Sequence, residues 1–306
     1  MNWKAKAFLQ KVLGWFPFGN TINYFFQRKI TKNLPVSEKI FLEKVSLAKY
    51  HFDNFSKYSE NLPSSSSIFY EFGAGWDLII PMVYFAKGIN NQILIDINKK
   101  LKFELINDTI RRFNKDKLKI ESIIGDYNNQ IPQIEISKLI QLMQTFGIKY
   151  LAPMDASNSI FKDNYFDFIS NTSTFEHVPE QFILSIMKEC HRILKYDAIM
   201  SCVIDLQDHY SYFDSQISVY NFLQFSDREW AIYNHPIQYQ NRLRASDFIN
   251  SFVEAGFEIL EVEKELPDAS EVKRLNSLNV NNKFSNYKFE DLSVKVLKIV
   301  LKKVKF

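Results

Sequence analysis

The stretch that decides the fold of this chain is Ile68-Phe69-Tyr70-Glu71-Phe72-Gly73-Ala74-Gly75-Trp76. It starts as an apolar run with one acid, which predicts a buried strand, and the Gly-x-Gly that follows predicts a tight turn. An apolar run of helical length comes next at 78–86, and a second apolar run at 92–95 ends in Asp96. This order predicts a nucleotide-type site, because glycines let the backbone approach a ligand and the acid accepts hydrogen bonds from ribose hydroxyls.

The turn also bears on which cofactor binds. A dinucleotide fingerprint has a third glycine three residues after the second, where the helix N-terminus receives a pyrophosphate. Here that position is Leu78, preceded by Trp76 and Asp77, and a bulky indole and a carboxylate would crowd and repel phosphates. NAD and FAD are therefore disfavoured. S-adenosylmethionine (SAM) has an adenosine ribose and a cationic sulfonium but no phosphate, so the carboxylates of Glu71 and Asp77 suit it better.

Outward from this stretch, the chain alternates predicted strands and helices. The expected strands are 68–72, 92–96, 148–152, 166–170 and 198–204, and the expected helices between them are 77–87, 98–113, 137–146 and 183–193. This alternation predicts an α/β fold with a doubly wound, mostly parallel sheet. Two closing strands are expected at 257–262 and 292–304, and the last resembles an edge strand because lysines alternate along it.

The expected domain organisation has three parts. Residues 1–62 are a helical N-terminal extension, residues 63–306 are the main domain, and residues 206–243 are an aromatic and polar insertion that we expect to recognise substrate. The apolar residues of the first helix gather on one side, flanked by lysines; they are Ala5, Phe8, Leu9, Val12, Leu13 and Phe16. This helix either packs on the domain as a lid over the cofactor cleft or touches an anionic membrane surface.

Composition limits the class of protein. The chain has 306 residues and a net charge of +3, which gives no global basic field, so we expect no nucleic-acid partner. Cys190 and Cys202 show neither metal-ligand spacing nor a disulfide pattern, as is usual in a reducing compartment. No apolar run reaches the roughly 18 residues that a membrane span needs. We expect a cytoplasmic protein whose N-terminal helix is the candidate contact with the inner face of the membrane, and we leave the oligomeric state open.

Motifs after successive strands carry a resemblance to a known family. They are Glu71-Phe72-Gly73-Ala74-Gly75, Asp96, Asp155-Ala156, Phe166-Asp167-Phe168-Ile169-Ser170-Asn171 leading to Phe175-Glu176-His177-Val178, and Glu189-Cys190-His191-Arg192-Ile193-Leu194-Lys195. In this order, over residues 66–264 and the final strand, the chain resembles a class I, seven-stranded, SAM-dependent methyltransferase of the small-molecule branch. Trp76 departs from the pattern, since many members carry a third small residue there.

The resemblance implies which residues bind SAM. Glu71 and the turn after it contact the cofactor, Asp96 holds the ribose, and Asp155 with Ala156 contacts adenine. Glu176 either caps the following helix or contacts the methionine amino group. The complete set of expected cofactor-binding residues is Glu71, Gly73, Ala74, Gly75, Asp96, Ile97, Asp155, Ala156, Asn171 and Glu176.

Methyl transfer needs proximity, in-line alignment and, for a hydroxyl acceptor, removal of a proton. The acceptor is expected at the carboxyl ends of strands four and five. His209 with Asp208 or Asp205 is the candidate base, because a carboxylate orients an imidazole whose pKa lies near the operating pH. The alternative is that His209 is a surface loop histidine. His177 either takes part in catalysis or has a structural role at the start of the following helix.

Other groups near these strand ends have competing interpretations. Asp205, Asp208 and His209 suggest a metal site, as in metal-dependent O-methyltransferases, but the set is compact and lacks a partner after strand three, so we expect no metal. Tyr239, Arg242 and Arg244 are candidate substrate ligands. The two arginines either hold a phosphate or carboxylate of the substrate or form a solvated pair at the start of a helix that Ser246 caps.

Absent motifs narrow the reaction. The sequence after strand four, Ser170-Asn171-Thr172-Ser173, is not an Asn-Pro-Pro-aromatic motif, and neither cysteine follows a proline there. Amide, adenine-amino and cytosine methylation are therefore disfavoured. We expect O-methylation of a sugar, a glycan or a small-metabolite hydroxyl. Two alternatives stay open: a SAM-binding scaffold without catalysis that docks to membrane or to a protein partner, and an RNA methyltransferase.

Overall fold

The computed structural model describes residues 2–14, 24–25, 28, 33–59 and 63–304. The strands are β1 (Ile68–Phe72), β2 (Asn91–Ile95), β3 (Ile148–Leu151), β4 (Phe166–Thr172), β5 (Leu194–Asp205), β6 (Phe257–Glu265) and β7 (Val296–Lys303). The α-helices are α1 (Trp3–Gly14), α2 (Glu38–Tyr58), α3 (Ile79–Ala86), α4 (Phe103–Lys115), α5 (Lys117–Ile124), α6 (Leu139–Phe146), α7 (Glu180–Ile193), α8 (Asp227–Trp230), α9 (Ala245–Glu254), α10 (Ala269–Ser277) and α11 (Phe289–Leu292). Phe16, which we assigned to the first helix, lies outside the described residues.

The strands of the described chain form one sheet in the order β3-β2-β1-β4-β5-β7-β6. The strands β1 to β5 pair in parallel, and β7 is antiparallel to both β5 and β6. The predicted doubly wound, mostly parallel α/β fold is therefore confirmed. The strand order reverses between β1 and β4, so the carboxyl ends of these strands border the crevice in which open α/β sheets bind ligands.

The prediction that the last strand is an edge strand is wrong. The strand β7 lies between β5 and β6, and β6 is the edge. The alternating lysines of β7 find partners inside the sheet: Lys298 lies 3.5 Å from Glu263, and the buried Lys303 donates to two backbone carbonyls and to Asn164. Lysine alternation predicts an edge only when such partners are absent, and the sequence does not reveal them.

Helices cover both faces of the sheet. On one face, α2 begins at its N-cap Ser37 and buries Phe41, Val45, Ala48 and Phe55 against the sheet. The helix α3 is buried along its whole length, as expected for a helix that is apolar on all sides. The opposite face is covered by α7 and α9. The predicted cap of α9 is wrong: the helix begins at Ala245 after Arg244, and Ser246 bonds to Asp291 instead.

A third hydrophobic cluster joins the N-terminal helix to the rest of the domain. Trp3 of α1 packs on Tyr210 and Tyr233 of the 206–243 insertion, with ring centroids 5.5 and 4.7 Å apart. Leu275 of α10 and Phe284, from the connection between β6 and β7, complete the cluster. The sequence did not reveal that this connection forms helices. The insertion is thus held between α1 and the β6–β7 connection.

The face of α1 that packs is not the predicted one. Trp3, Ala7 and Gln10 are buried, whereas Phe8 is 70% exposed and Leu9 is 39% exposed. Tertiary contacts with the insertion bury a mixed face, and the more apolar face stays outside. Within the part of the chain that the structure describes, no helix has the length and apolar character to cross a membrane.

Candidate active site

The glycine turn after β1 lies at the crevice and has the conformation that its sequence requires. Gly73 and Gly75 have φ of +76° and +73°, a region that side chains disfavour. A Cβ on Gly73 would lie 2.2 Å from Oγ1 of Thr174, whereas a Cβ on Gly75 would meet no atom within 4 Å. Gly73 is therefore required by the packing of the β1 and β4 ends, and no described residue fills the space beside Gly75. Leu78, at the place of the missing third glycine, is also left-handed, with φ of 55°.

The expected ribose acid, Asp96, follows β2 beside this turn. Its Oδ2 accepts a 2.9 Å hydrogen bond from the Tyr150 hydroxyl, and its side chain is buried. Burial raises the pKa of Asp96 to about 6, although Lys100, Tyr150 and the Gly75 backbone act in the opposite direction. Tyr150 was missed in the sequence. Tyr150 lies in β3 opposite Leu94 of β2, and because the two strands are parallel it reaches the same end of the sheet as Asp96. Its place near the end of the predicted strand 148–152 was the signal in the sequence.

The carboxylates beside the turn have different environments. Asp77 forms a 2.6 Å ion pair with Lys44 of α2, so it is not the free negative group that we expected beside a cationic ligand. Glu71 is buried, and its Oε2 has no hydrogen-bond partner within the described ranges of the chain. Burial, with a smaller contribution from Asp96, raises the pKa of Glu71 to about 8. Of these two acids, only Glu71 retains an unpaired oxygen.

The expected adenine contacts line the adjacent rim. Ile97 follows Asp96 and is 64% exposed. Asp155 is exposed, and its Oδ1 accepts a 2.8 Å hydrogen bond from the Ser157 backbone, so it shapes the loop after β3. Ala156 is partly buried beside it. Asn171, at the end of β4, donates to the Phe72 carbonyl at 3.1 Å and keeps an unpaired Oδ1.

The ends of β4 and β5 bring together Glu176, His177 and His209. One ligand-type atom from each lies within 4.8 Å of the others. Glu176 is 1% exposed, and both of its carboxylate oxygens lack hydrogen-bond partners among the residues that the structure describes. Burial, with a smaller contribution from Asp205, raises its pKa well above the usual value. The ring centroids of His177 and His209 are 5.0 Å apart, and His177 is the solvent-exposed member of the three.

Asp205, and not Asp208, is the carboxylate beside His209. Nε2 of His209 lies 3.2 Å from Oδ2 of Asp205, although without the alignment of a hydrogen bond. Burial alone would raise the pKa of Asp205, but His209 and Tyr212 hold it below the usual value. Asp208 faces the other way, and its two oxygens accept hydrogen bonds from the backbone of Tyr210 and the side chain of Asn221. It is a structural residue of the insertion.

The insertion positions the two histidines. The Tyr239 carbonyl lies 2.6 Å from Nδ1 of His177, and the Gln240 side chain accepts a 3.1 Å hydrogen bond from the His209 backbone. Tyr212 stacks on His209, with ring centroids 5.3 Å apart. No local pattern predicts Tyr212 or Gln240, because both act through contacts that only the folded insertion creates.

The candidate substrate arginines have other partners. Arg244 is fully buried and donates to the carbonyls of Leu206, Leu292 and Val294. Arg242 is 7% exposed and donates to two carbonyls of the insertion and to Asp227. The two arginines do not form the predicted solvated pair. Their terminal guanidinium nitrogens already donate to these partners, so neither arginine is free to bind a substrate anion. Arg242 therefore stabilises the insertion internally, and Arg244 ties the start of the insertion at Leu206 to the segment before β7.

Comparisons with known proteins agree with this geometry. Residues 123–202 match a family model described as a methyltransferase domain, a stretch that includes β3, β4, α7 and most of β5. No curated protein matches the chain by sequence.

Solved structures with a similar fold are distant in sequence. Geranyl diphosphate C-methyltransferase from Streptomyces coelicolor is 9% identical, with 88% of this chain and 86% of that chain covered and a TM-score of 0.45. A SAM-dependent methyltransferase from Methanosarcina mazei is 14% identical, with 83% and 98% covered and a TM-score of 0.44. The [4+2]-cyclase SpnF is 11% identical, with 84% and 82% covered and a TM-score of 0.45. Likenesses this distant carry no argument about substrate. The family match and the seven-stranded sheet confirm the resemblance that the motifs indicated, to class I SAM-dependent methyltransferases.

Proposed function

We propose that this chain transfers the methyl group of SAM to a hydroxyl of a small molecule, a sugar or a glycan. The proposal rests on the placement of two sets of residues at the carboxyl ends of the parallel strands, on one side of the molecule. The glycine turn and Asp96 lie at the ends of β1 and β2, and Glu176, His177 and His209 lie at the ends of β4 and β5. Gly73 packs against Thr174, two residues before Glu176, so the two sets are neighbours.

The residues of the cofactor half fit SAM. Gly75 leaves space that a side chain would fill, and Asp96 offers a carboxylate to ribose hydroxyls. One side-chain oxygen of Glu71 and one of Asn171 have no donor among the described residues, and the ammonium and hydroxyl groups of SAM can supply donors. Ile97 offers an exposed apolar surface to the adenine ring. Bound there, SAM supplies an electrophilic methyl group on a cationic sulfonium.

The acceptor half can remove a proton. In the proposed reaction, the acceptor oxygen forms a bond to the methyl carbon while the carbon–sulfur bond breaks and its electron pair stays on sulfur. The hydroxyl proton passes to His209, and Asp205 stabilises the resulting imidazolium at 3.2 Å. The remaining contribution is positioning, since methyl transfer depends on alignment of the reacting atoms.

The insertion and the N-terminal extension are proposed to form the acceptor pocket. Tyr24 supports the role of the extension as a lid, because its ring packs edge-on against Trp76 at 5.2 Å and its hydroxyl bonds to Glu104 at the start of α4. Tyr239 borders His177 and is the remaining candidate substrate contact. A cytoplasmic location with contact between α1 and the inner face of the membrane is also a proposal, supported by the exposed Phe8 and Leu9.

Two alternative functions predict different results. A SAM-binding scaffold would bind SAM tightly and transfer no methyl group to any acceptor. An RNA methyltransferase would bind RNA with an affinity that falls steeply as salt rises. The net charge of +3 argues against the second function.

The experiment is an acceptor screen with SAM carrying a labelled methyl group. The wild-type protein should transfer label to at least one hydroxyl compound, and His209→Ala should lose turnover but keep its affinity for SAM. His191→Ala is the matched control, because His191 lies on α7 outside the cluster. Full activity of His209→Ala would reject the base, and absence of SAM binding by the folded wild-type protein would reject the function.

A further inference from the structure

We infer that Glu176, His177 and His209 form a binding site for a divalent transition-metal ion. Their candidate ligand atoms lie within 4.8 Å of one another. Ligands at about 2.1 Å from a tetrahedral ion stand about 3.4 Å apart, so modest side-chain rotations would complete the site. This set differs from the metal candidates in the sequence, because Asp208 is directed into the insertion.

The environment of Glu176 is the first independent observation that points to a ligand. Its carboxylate is 1% exposed, and neither oxygen has a hydrogen-bond partner in the described part of the chain. It belongs to none of the ion pairs among the described residues. A protonated Glu176 could donate its O–H to a ring nitrogen of this cluster, and the metal titration below separates that state from a bound ion. A cation between Glu176 and the two imidazoles would pair with the carboxylate and offset its desolvation.

The histidines are held as metal-ligating histidines usually are. A ligating imidazole donates its other N–H to a carbonyl or a carboxylate, which fixes the tautomer and the ring orientation. The Tyr239 carbonyl can only accept, so Nδ1 of His177 carries the proton and Nε2 keeps a lone pair. The ring of His209 lies against Asp205, 3.2 Å away, and is stacked on Tyr212. His177 therefore has the outer hydrogen bond that such sites require, and a small rotation of His209 toward Asp205 would form the second.

The donor set selects the class of ion. Imidazoles with one carboxylate favour zinc, manganese, iron or cobalt over magnesium and calcium, which prefer oxygen ligands. Three protein ligands leave a coordination position open to water or to a substrate oxygen. The methionine amino group of SAM is the competing partner for Glu176, but an ammonium would not use two imidazole lone pairs.

A metal at this point would change the role of the site, and this step rests on the proposed function. An ion held by these residues would lower the pKa of an acceptor hydroxyl bound to it, so that the hydroxyl would lose its proton to water at neutral pH. The acceptor oxygen would then bond to the methyl carbon as the carbon–sulfur bond breaks. A ring nitrogen of His209 that ligates the metal cannot also act as the base, so the two roles of that nitrogen exclude each other.

Metal binding is tested on untagged, chelator-treated full-length protein without SAM, by calorimetry with Zn²⁺ and by the visible absorption of Co²⁺. We expect one ion per chain, with affinity reduced at least about tenfold in His177→Ala, His209→Ala and Glu176→Gln, as is usual when the residues around an ion are altered. His191→Ala should bind normally. Circular dichroism confirms that each variant is folded. The absence of stoichiometric binding, or binding that the cluster variants leave unchanged, would overturn the inference.

A second measurement separates this inference from the proposed function. SAM affinity is measured on the same chelated protein, because the proposed cofactor residues lie at β1 and β2 and need no metal. Metal binding with no SAM binding would leave the site standing and reject the methyltransferase proposal. Once an acceptor is known, a rate that falls on chelation and returns with Mn²⁺ or Zn²⁺ supports metal assistance, and a rate indifferent to chelation rejects it.

Discussion

The contact between Gly73 and Thr174 allows a matched pair of alanine substitutions in one turn. Both glycines are left-handed, so alanine at either position costs about 1–2 kcal/mol of backbone strain. At Gly73 the new Cβ would also lie 2.2 Å from Oγ1 and 2.9 Å from Cβ of Thr174. Because that second atom is attached to the backbone, it cannot rotate away, and overpacking of this kind costs a further 1–3 kcal/mol, roughly. Gly75→Ala carries no such steric cost.

The prediction is therefore that Gly73→Ala loses about 1–3 kcal/mol more unfolding free energy than Gly75→Ala. Urea denaturation followed by circular dichroism measures both values. The double variant Gly73→Ala/Thr174→Gly removes the clash, so a double-mutant cycle should show positive coupling of similar size. Gly75→Ala should lose only the unfolding free energy that backbone strain costs. It should nevertheless bind SAM at least about tenfold more weakly, a loss of about 1.4 kcal/mol, because its methyl group enters the space proposed for the ligand. Equal destabilisation by the two alanines, or no coupling with Thr174, would refute the reasoning.

Three further predictions follow from buried charges. Arg244→Met should lose about 3 kcal/mol or more of unfolding free energy, since three buried carbonyls lose their donor, while the exposed Arg228→Met should lose little; equal losses in urea denaturation would contradict this. SAM affinity should fall as pH falls through about 6, because Asp96 gains a proton there and becomes a poorer acceptor for ribose hydroxyls. Asp96→Asn should bind weakly and lack this pH step, and calorimetry that finds the step unchanged would assign it to another acid. Asp205→Asn should slow turnover with little change in SAM affinity, and unchanged single-turnover rates would remove Asp205 from the mechanism.

The cofactor half of the site could be predicted because its signals are local. The Gly-x-Gly turn at the end of β1 and the acid after β2 depend on backbone conformation and strand termini, which short stretches of sequence determine. The strand–helix alternation depends on periodicity over similar lengths. Gly73, Gly75 and Asp96 lie at the strand ends where these patterns predict them, and their contact with SAM stays a prediction.

The acceptor half could be predicted only in part, because its contacts are long-range. The sequence placed His177 and His209 near the correct strand ends, but it could not choose between Asp205 and Asp208, which differ only in the direction of their side chains. The arginines show the same limit. Nothing local distinguishes a buried arginine that donates to distant carbonyls, such as Arg244, from one that is free to bind an anion.

The central claim is that the sheet edge at β1 and β2 binds SAM, and calorimetric titration of the full chain tests it most directly. We predict one site per chain for both SAM and S-adenosylhomocysteine, with dissociation constants on the order of micromolar, and much weaker binding of both by folded Asp96→Ala. No heat of binding for either compound with the folded wild-type protein, or unchanged affinity in Asp96→Ala, would contradict the claim.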